Sequence, residues 1–185
     1  MHKTDISDES LMLDARNGNM DAIGVLYSRH SKQLFNFFVR LTHNRDSSAD
    51  LLQNVFLRVL KYHNSFNPSH RFTTWMYQLA RNCLNDYREM NAKNPVISNP
   101  ENVLQNTAFE EHAQKQASED ALLYRAIECL PEEGRELLVM SKFQGLKYEE
   151  ISAITGDSVA NIKVKVYRSM LKLKERYFQL EEAGV

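Results

Sequence analysis

Residues 147–173 read KYEEISAITGDSVANIKVKVYRSMLKL. Tyr148, Ile151 and Ile154 recur at helical spacing and give the first part of the stretch an apolar side. Gly156-Asp157 then interrupts the pattern. Gly156 suits the left-handed backbone that ends a helix, and Ser158 suits the N-cap of the next. The stretch therefore predicts helix, short glycine-bearing turn, helix, which is the helix-turn-helix arrangement. On a wheel of about 100° per residue, Val159, Ile162, Val166, Met170 and Leu173 share the side expected to be core. Ala160, Val164, Tyr167, Arg168 and Leu171 face the opposite way, flanked by Asn161, Lys163, Lys165 and Lys172. A helix that is merely solvated has no reason to carry Val164 and Tyr167 in the middle of its exposed face. A helix laid in a DNA groove does, because apolar groups meet thymine methyls while flanking cations meet phosphates. The competing reading is a solvated basic helix on an ordinary bundle, and the preceding KYEEISAITGDS weighs against it.

The rest of the chain sets the context. Its 185 residues are 43% hydrophobic and 25% charged, ordinary for a globular protein. Six glycines, four prolines and no alternating strand pattern point to an all-helical chain of two small domains. The first is expected over 8–91 and the second over 118–180. The joint at 92–117 carries two Asn-Pro pairs and many amides, which bias it away from helix. The net charge of −1 is unevenly laid out: residues 161–176 hold six cations and only Glu175 as an anion. Cys83 and Cys129 fit no CxxC pattern and no disulfide framework, which suits a reducing, cytoplasmic setting. The polar, acidic start MHKTDISDES has no apolar signal-peptide core, and no run is long enough to span a bilayer.

In the first block, residues 20–42 form a long amphipathic pattern with Ala22, Val25, Leu26, Leu34, Phe37, Phe38 and Leu41 inward. HNRDSSAD is expected to break it, with Ser47 or Ser48 as the next cap. ADLLQNVFLRVLKYHNSF then turns Leu52, Val55, Phe56 and Val59 inward, leaving Asp50, Gln53, Asn54 and Arg58 elsewhere on that helix. After a loop at NPSH, FTTWMYQLARNCLNDYREM shows an apolar stripe of Phe72, Trp75, Met76, Leu79 and Cys83. A polar stripe of Thr74, Gln78, Arg81, Asn85 and Arg88 runs beside it, with Asn82 at its edge.

These pieces, in this order and with the C-terminal helix-turn-helix, resemble the extracytoplasmic-function sigma factors of bacterial RNA polymerase. The matching segments are LYSRHSKQLFNF, ADLLQNVFLRVLKYHNSF, FTTWMYQLARNCLNDYR and the stretch from Leu130 to Glu175. The resemblance implies two helical domains and a subunit that directs core polymerase to promoters. It assigns Asp50, Gln53, Asn54 and Arg58 to core-polymerase docking; Asn54 stands where glutamate is common. It assigns Phe66, Trp75, Tyr77, Arg81 and Asn82 to the −10 element, which is opened and read by capture of a non-template base. It assigns Asn161, Lys163, Val164, Lys165, Tyr167 and Arg168 to the −35 element; Val164 stands where a small polar residue is frequent. Beyond core polymerase and promoter DNA, an anti-sigma factor is a partner the joint would permit, and the working form is expected to be a monomer. Elementary energetics agrees with the −10 assignment. Unstacking a base costs a few kcal/mol, and a pocket with an amide and aromatic walls offsets that. The Asn82 amide offers both a donor and an acceptor.

Catalytic signatures are lacking. No glycine-rich phosphate loop and no nucleophile elbow occur, so no enzyme activity and no cofactor are expected. His63, His70 and Cys83 match no common zinc spacing. Glu132-Glu133 and Glu149-Glu150 sit near helix starts, where negative charge favours the dipole. Two other functions compete. A helix-turn-helix repressor or activator would leave DLLQNVF without a role, and a protein-only adaptor would leave the outward face of 160–172 unexplained.

Overall fold

The computed structural model describes residues 6–93 and 121–183, and all regular structure among them is helical. In chain order the helices are α1 (Asp8–Arg16), α2 (Asp21–Thr42), α3 (Arg45–Tyr62), α4 (Phe72–Lys93), α5 (121–128), α6 (Glu132–Leu138), α7 (Tyr148–Thr155) and α8 (Val159–Glu182). A 3-10 turn at His63–Ser65 follows α3, and a π turn at Val139–Phe143 follows α6. The chain divides into two compact units, built mainly from α1–α4 and from α5–α8. The all-α, two-domain expectation is met. Most of the joint expected at 92–117, and the start of the second domain at 118, lie outside the described residues.

In the first unit α1 was not anticipated. Ser7 caps it, its Oγ accepting from Ser10 N at 3.1 Å, and Asp8 and Glu9 occupy the first turn, where carboxylates favour the dipole. It buries Leu11, Met12 and Ala15, and Asp8 ties it to α2 through Arg29 and His30, both at 2.7 Å. Aromatic contacts lock the other helices. Phe37 of α2 meets Tyr77 of α4 edge-on at 5.3 Å, and Tyr27 of α2 meets Phe56 of α3 at 4.9 Å.

Three local expectations are corrected here. The α3 helix begins at Arg45, so Ser47 and Ser48 lie inside it rather than capping it; Ser48 is buried, and Ser47 Oγ accepts from Tyr87 of α4 at 3.1 Å. Val25 is half-buried, while Ile23, His30 and Val39 join the buried side of α2. On α4 the buried stripe is Phe72, Met76, Tyr77, Ala80, Cys83 and Leu84, with Trp75 and Leu79 at its margin. The stripe drifts around the helix because 3.6 residues make a turn.

In the second unit the turn chemistry matches the sequence. Gly156 is left-handed at φ 82°, and Ser158 Oγ accepts from Asn161 N at 3.2 Å. Glu150 reaches back to accept from Lys147 N at 2.8 Å and so caps the helix, while Glu149 lies beside it in the first turn. Helix α5 ends just before Pro131, and Arg135 Nη2 donates to the carbonyls of Glu128 and Leu130 at 2.7 and 3.0 Å. The buried residues of α8 are Ile162, Val166, Ser169 and Leu173. Met170, expected inward, is exposed, and Ser169 is buried instead. The cause is a close approach of α6: a Cβ on Gly134 would lie 2.4 Å from Ser169 Oγ. A methionine has no room on the line that a serine fills. Beyond Leu173, α8 continues to Glu182 without another buried side chain.

This contact gives a stability prediction. Gly134→Ala gains up to about 1 kcal/mol of helix propensity but overpacks the contact, a cost of about 1–3 kcal/mol. The net expectation is destabilisation. Ser169→Ala in the same chain removes the clashing atom and restores the midpoint, so a denaturant double-mutant cycle should show coupling rather than additivity.

Candidate nucleic-acid interface

Three surfaces carry the residues singled out in the sequence. The first is the outer face of α8. Its buried stripe holds one side of the helix in the core, so the opposite side is presented to solvent. There Val164 is 48% and Tyr167 65% exposed, with Leu171 beside them. Ala160, Asn161, Lys163, Arg168 and Lys172 are exposed around this strip. Lys165 differs. Its Nζ lies 2.8 Å from Asp157 Oδ2 in the turn and 2.5 Å from Glu133 Oε1 on α6. Hydrogen bonds to Asp157, then to Glu133, hold its ammonium above the ordinary lysine range. Its charge is shared with two carboxylates, so it offers a phosphate less than Lys163 or Arg168 does. Ser152 Oγ donates to Asp157 O at 2.6 Å, and the turn is thereby held from both of its helices.

The second surface combines the loop at 67–71 with the outer side of α4. The loop residues are exposed. Asn67 Oδ1 accepts from Ser69 N at 3.0 Å and from Ser69 Oγ at 2.8 Å, an Asx turn that shapes the loop from within. Under the loop lies an aromatic cluster: Phe66 is 5.3 Å from Trp75 and 6.2 Å from Phe72, centroid to centroid. On α4, Asn82 is exposed, while Arg81 and Arg88 are half-exposed, Arg88 donating to Asn85 Oδ1 at 3.4 Å. Phe66 and Tyr77 are each only 1% exposed. Burial pushes the Tyr77 phenol well up, so it stays neutral. Both rings pack inside the unit and lie beneath the surface, the placement expected of Tyr77 as a residue that shapes it and deeper than expected of Phe66. Trp75, half-buried, keeps part of its ring accessible.

The third surface is the outer face of α3. Asp50, Gln53 and Asn54 are exposed together, whereas Arg58 is hydrogen-bonded to Asp86 of α4. Sequence reading missed Leu57, 60% exposed, and Leu60, which continue the same face. The signal was available: α3 has more apolar residues than one buried stripe uses. A helix face mixing amides, a carboxylate and exposed leucines suits a protein partner.

Among the described residues no group of three or more His, Cys, Asp or Glu could hold a metal ion. Of the residues considered for zinc, His63 Nδ1 donates to Leu60 O over 2.6 Å, and Cys83 is buried. No helix there is long and apolar enough to cross a membrane.

Comparisons with known proteins bear on all three surfaces. The model of Sigma-70 region 2 matches residues 26–93, and that of Sigma-70, region 4 matches residues 120–173. The chain is 30% identical over 169 residues to RNA polymerase sigma factor CarQ of Myxococcus xanthus, covering 90% of this chain and 95% of that protein. It is 28% identical to RNA polymerase sigma factor YlaC of Bacillus subtilis (88% and 95% covered) and 26% identical to the ECF RNA polymerase sigma-E factor of Escherichia coli K12 (89% and 91%). Among solved structures, CnrH in complex with the cytosolic domain of CnrY aligns with a TM-score of 0.69 at 22% identity, covering 91% of this chain and 95% of that one. The sigma factor RpoE in complex with the anti-sigma factor NepR from Bartonella quintana aligns at 0.65 and 22%, covering 83% and 94%. At these identities the structural likeness concerns the fold.

Burial makes a chemical prediction for the two thiols. Cys129 is exposed, whereas Cys83 is buried among α4 core residues and desolvation raises its pKa. Titration of the folded chain with an aromatic disulfide reagent should release one equivalent quickly and the second only on unfolding.

Proposed function

The chain belongs to the sigma-70 family as a sigma factor of the extracytoplasmic-function type, and from that premise we propose how its surfaces divide the work of initiation. As such a factor it directs RNA polymerase to promoters and initiates transcription. The −35 element is read in the major groove by the outer face of α8. The observation that carries this reading is the strip of Val164 and Tyr167, exposed and framed by Lys163, Arg168 and Asn161. Val164 makes apolar contact with a thymine methyl, Arg168 reads a base edge, and Lys163 meets phosphate. Lys165, paired with Asp157 and Glu133, braces the turn.

The −10 element is opened on the first unit. The exposed loop at 67–71, Asn82 and the accessible part of Trp75 receive an unstacked base, with Phe66 and Tyr77 as the floor beneath. Arg81 and Arg88 follow the strand's phosphates. The face of Asp50, Gln53, Asn54, Leu57 and Leu60 docks on core polymerase, and Arg58 orients that face by its bond to Asp86. The phosphodiester chemistry belongs to the polymerase, so the chain is not itself an enzyme. It works where the polymerase works, in the cytoplasm. An anti-sigma factor is a further partner in this reading; RpoE of Bartonella quintana, solved with its anti-sigma factor NepR, shares the fold.

Run-off transcription with bacterial core polymerase and a pool of promoter fragments tests the assignment. Asn82→Ala should lower discrimination at the −10 element and Arg168→Ala at the −35 element, each by about 5- to 150-fold, the range of about 1–3 kcal/mol for one base contact. Lys163→Ala should leave base preference intact and reduce the salt slope of promoter binding by about 0.9. A chain that neither binds core nor starts transcripts, yet holds a palindromic duplex tightly, belongs to the repressor-or-activator reading instead.

A further inference from the structure

The two ends of the 67–71 loop are held by one helix, and that helix lies outside the segment matched to Sigma-70 region 2. At the near end, Arg16 Nη1 donates to Phe66 O at 3.2 Å. At the far end, Glu9 Oε1 accepts from Phe72 N at 2.9 Å. Glu9 and Arg16 are seven residues apart on α1, two turns and about 10.5 Å along one face at 1.5 Å per residue.

The far contact replaces a missing cap. Trp75 N donates to Arg71 O, so Arg71 occupies the N-cap position of α4. Arginine has no side-chain oxygen to offer the first N–H groups of a helix. Glu9 supplies that acceptor from another element, and its charge also favours the positive end of α4. The helix making both contacts is itself fixed, by Asp8 to Arg29 and His30 and by the burial of Leu11, Met12 and Ala15. The loop between its anchors keeps its side chains exposed.

We propose that Glu9 and Arg16 are positioning residues for promoter opening: α1 sets the span and pose of the 67–71 loop and is thus a working part of the −10 reader. The proposal rests on the reading of that loop as the −10 surface. A gap of fixed length, held by hydrogen bonds to backbone, keeps the loop ready for a base that must be captured as it unstacks. Neither residue touches DNA. Their effect is to remove the need for the loop to order itself during melting.

The test uses holoenzyme reconstituted from the full chain and core polymerase. Run-off yield is compared on promoters with matched and altered −10 elements, and permanganate reactivity of −10 thymines reports opening. Core affinity and −35 dependence are measured in parallel. Glu9→Ala and Arg16→Met should each cut −10 discrimination and opening by about 5- to 30-fold, equivalent to one or two kcal/mol, with core affinity and −35 dependence unchanged. Glu9→Gln, whose amide oxygen still accepts, should recover most of the loss. Glu9→Asp keeps the charge in the first turn of α1 but shortens the reach, so it should fold normally and still lose discrimination. Because both residues hold one loop, the double variant should fall short of the product of the singles. If Glu9→Asp and Arg16→Met keep full −10 discrimination while Ser69→Ala or His70→Ala within the loop lose it, the positioning role is wrong and the loop reading survives. If the loop variants also keep full discrimination, the loop reading falls and the proposal with it. An equal loss of core affinity, −35 dependence and −10 dependence would reduce Glu9 and Arg16 to structural residues and overturn the proposal.

Discussion

A helix buried along one side can work only with the other, and both units of this chain are arranged around that division. On α8 the line of Ile162, Val166, Ser169 and Leu173 belongs to the core. Every side chain left for DNA must come from the remaining arc. On α4 the line of Phe72, Met76, Ala80 and Cys83 does the same, and Asn82 is exposed because it lies on the side of the helix away from that line. The site residues are therefore fixed in direction by apolar burial, at a scale of about 25 cal/mol per Å² of apolar surface removed from water. The charged groups add little holding energy at such exposed positions; they add sign and chemistry.

This division also explains what could be read in advance. Turn chemistry is local, so Gly156 and Ser158 announced the helix-turn-helix correctly. The outward strip of Val164 and Tyr167 followed from period alone. Ser169 could not be read, because its burial depends on Gly134, far away in sequence and unremarkable by itself. Met170 was expected inward for the same reason: a wheel gives direction but no measure of the gap the neighbouring helix leaves. Ser47 and Ser48 looked like caps because cap residues and helix residues share an alphabet; Ser47 instead bonds to Tyr87 of α4, and Ser48 is buried. The depth of Phe66 and Tyr77 could not be read either, since aromatic residues suit both an exposed stacking surface and the core beneath it.

The first unit depends on a kind of contact that no spacing rule finds. A carboxylate on α1 completes the start of α4, and an arginine on α1 holds a carbonyl at the end of the preceding turn. Both partners are backbone atoms, so neither leaves a mark in the sequence of the loop. The short acidic helix that supplies them looks like a solvated leader until its Ser7 cap and its buried Leu11, Met12 and Ala15 are seen together. Chemistry placed far along the chain can in this way be governed by residues with no chemical vocabulary of their own.

The far end of α8 is the counterpart of that tight clamp. From 174 to 182 the helix has no buried side chain, and besides its backbone ladder only local contacts such as Arg176 and Glu175 with Gln179 support it. Such an end frays more readily than the packed turns before it. Its turns wind and unwind on about the microsecond scale or faster, while the turns around Ile162 and Val166 open only with the fold. Amide hydrogens along one continuous helix consequently exchange with solvent on a gradient. They are long-lived where the helix faces α6 and fleeting toward Glu182.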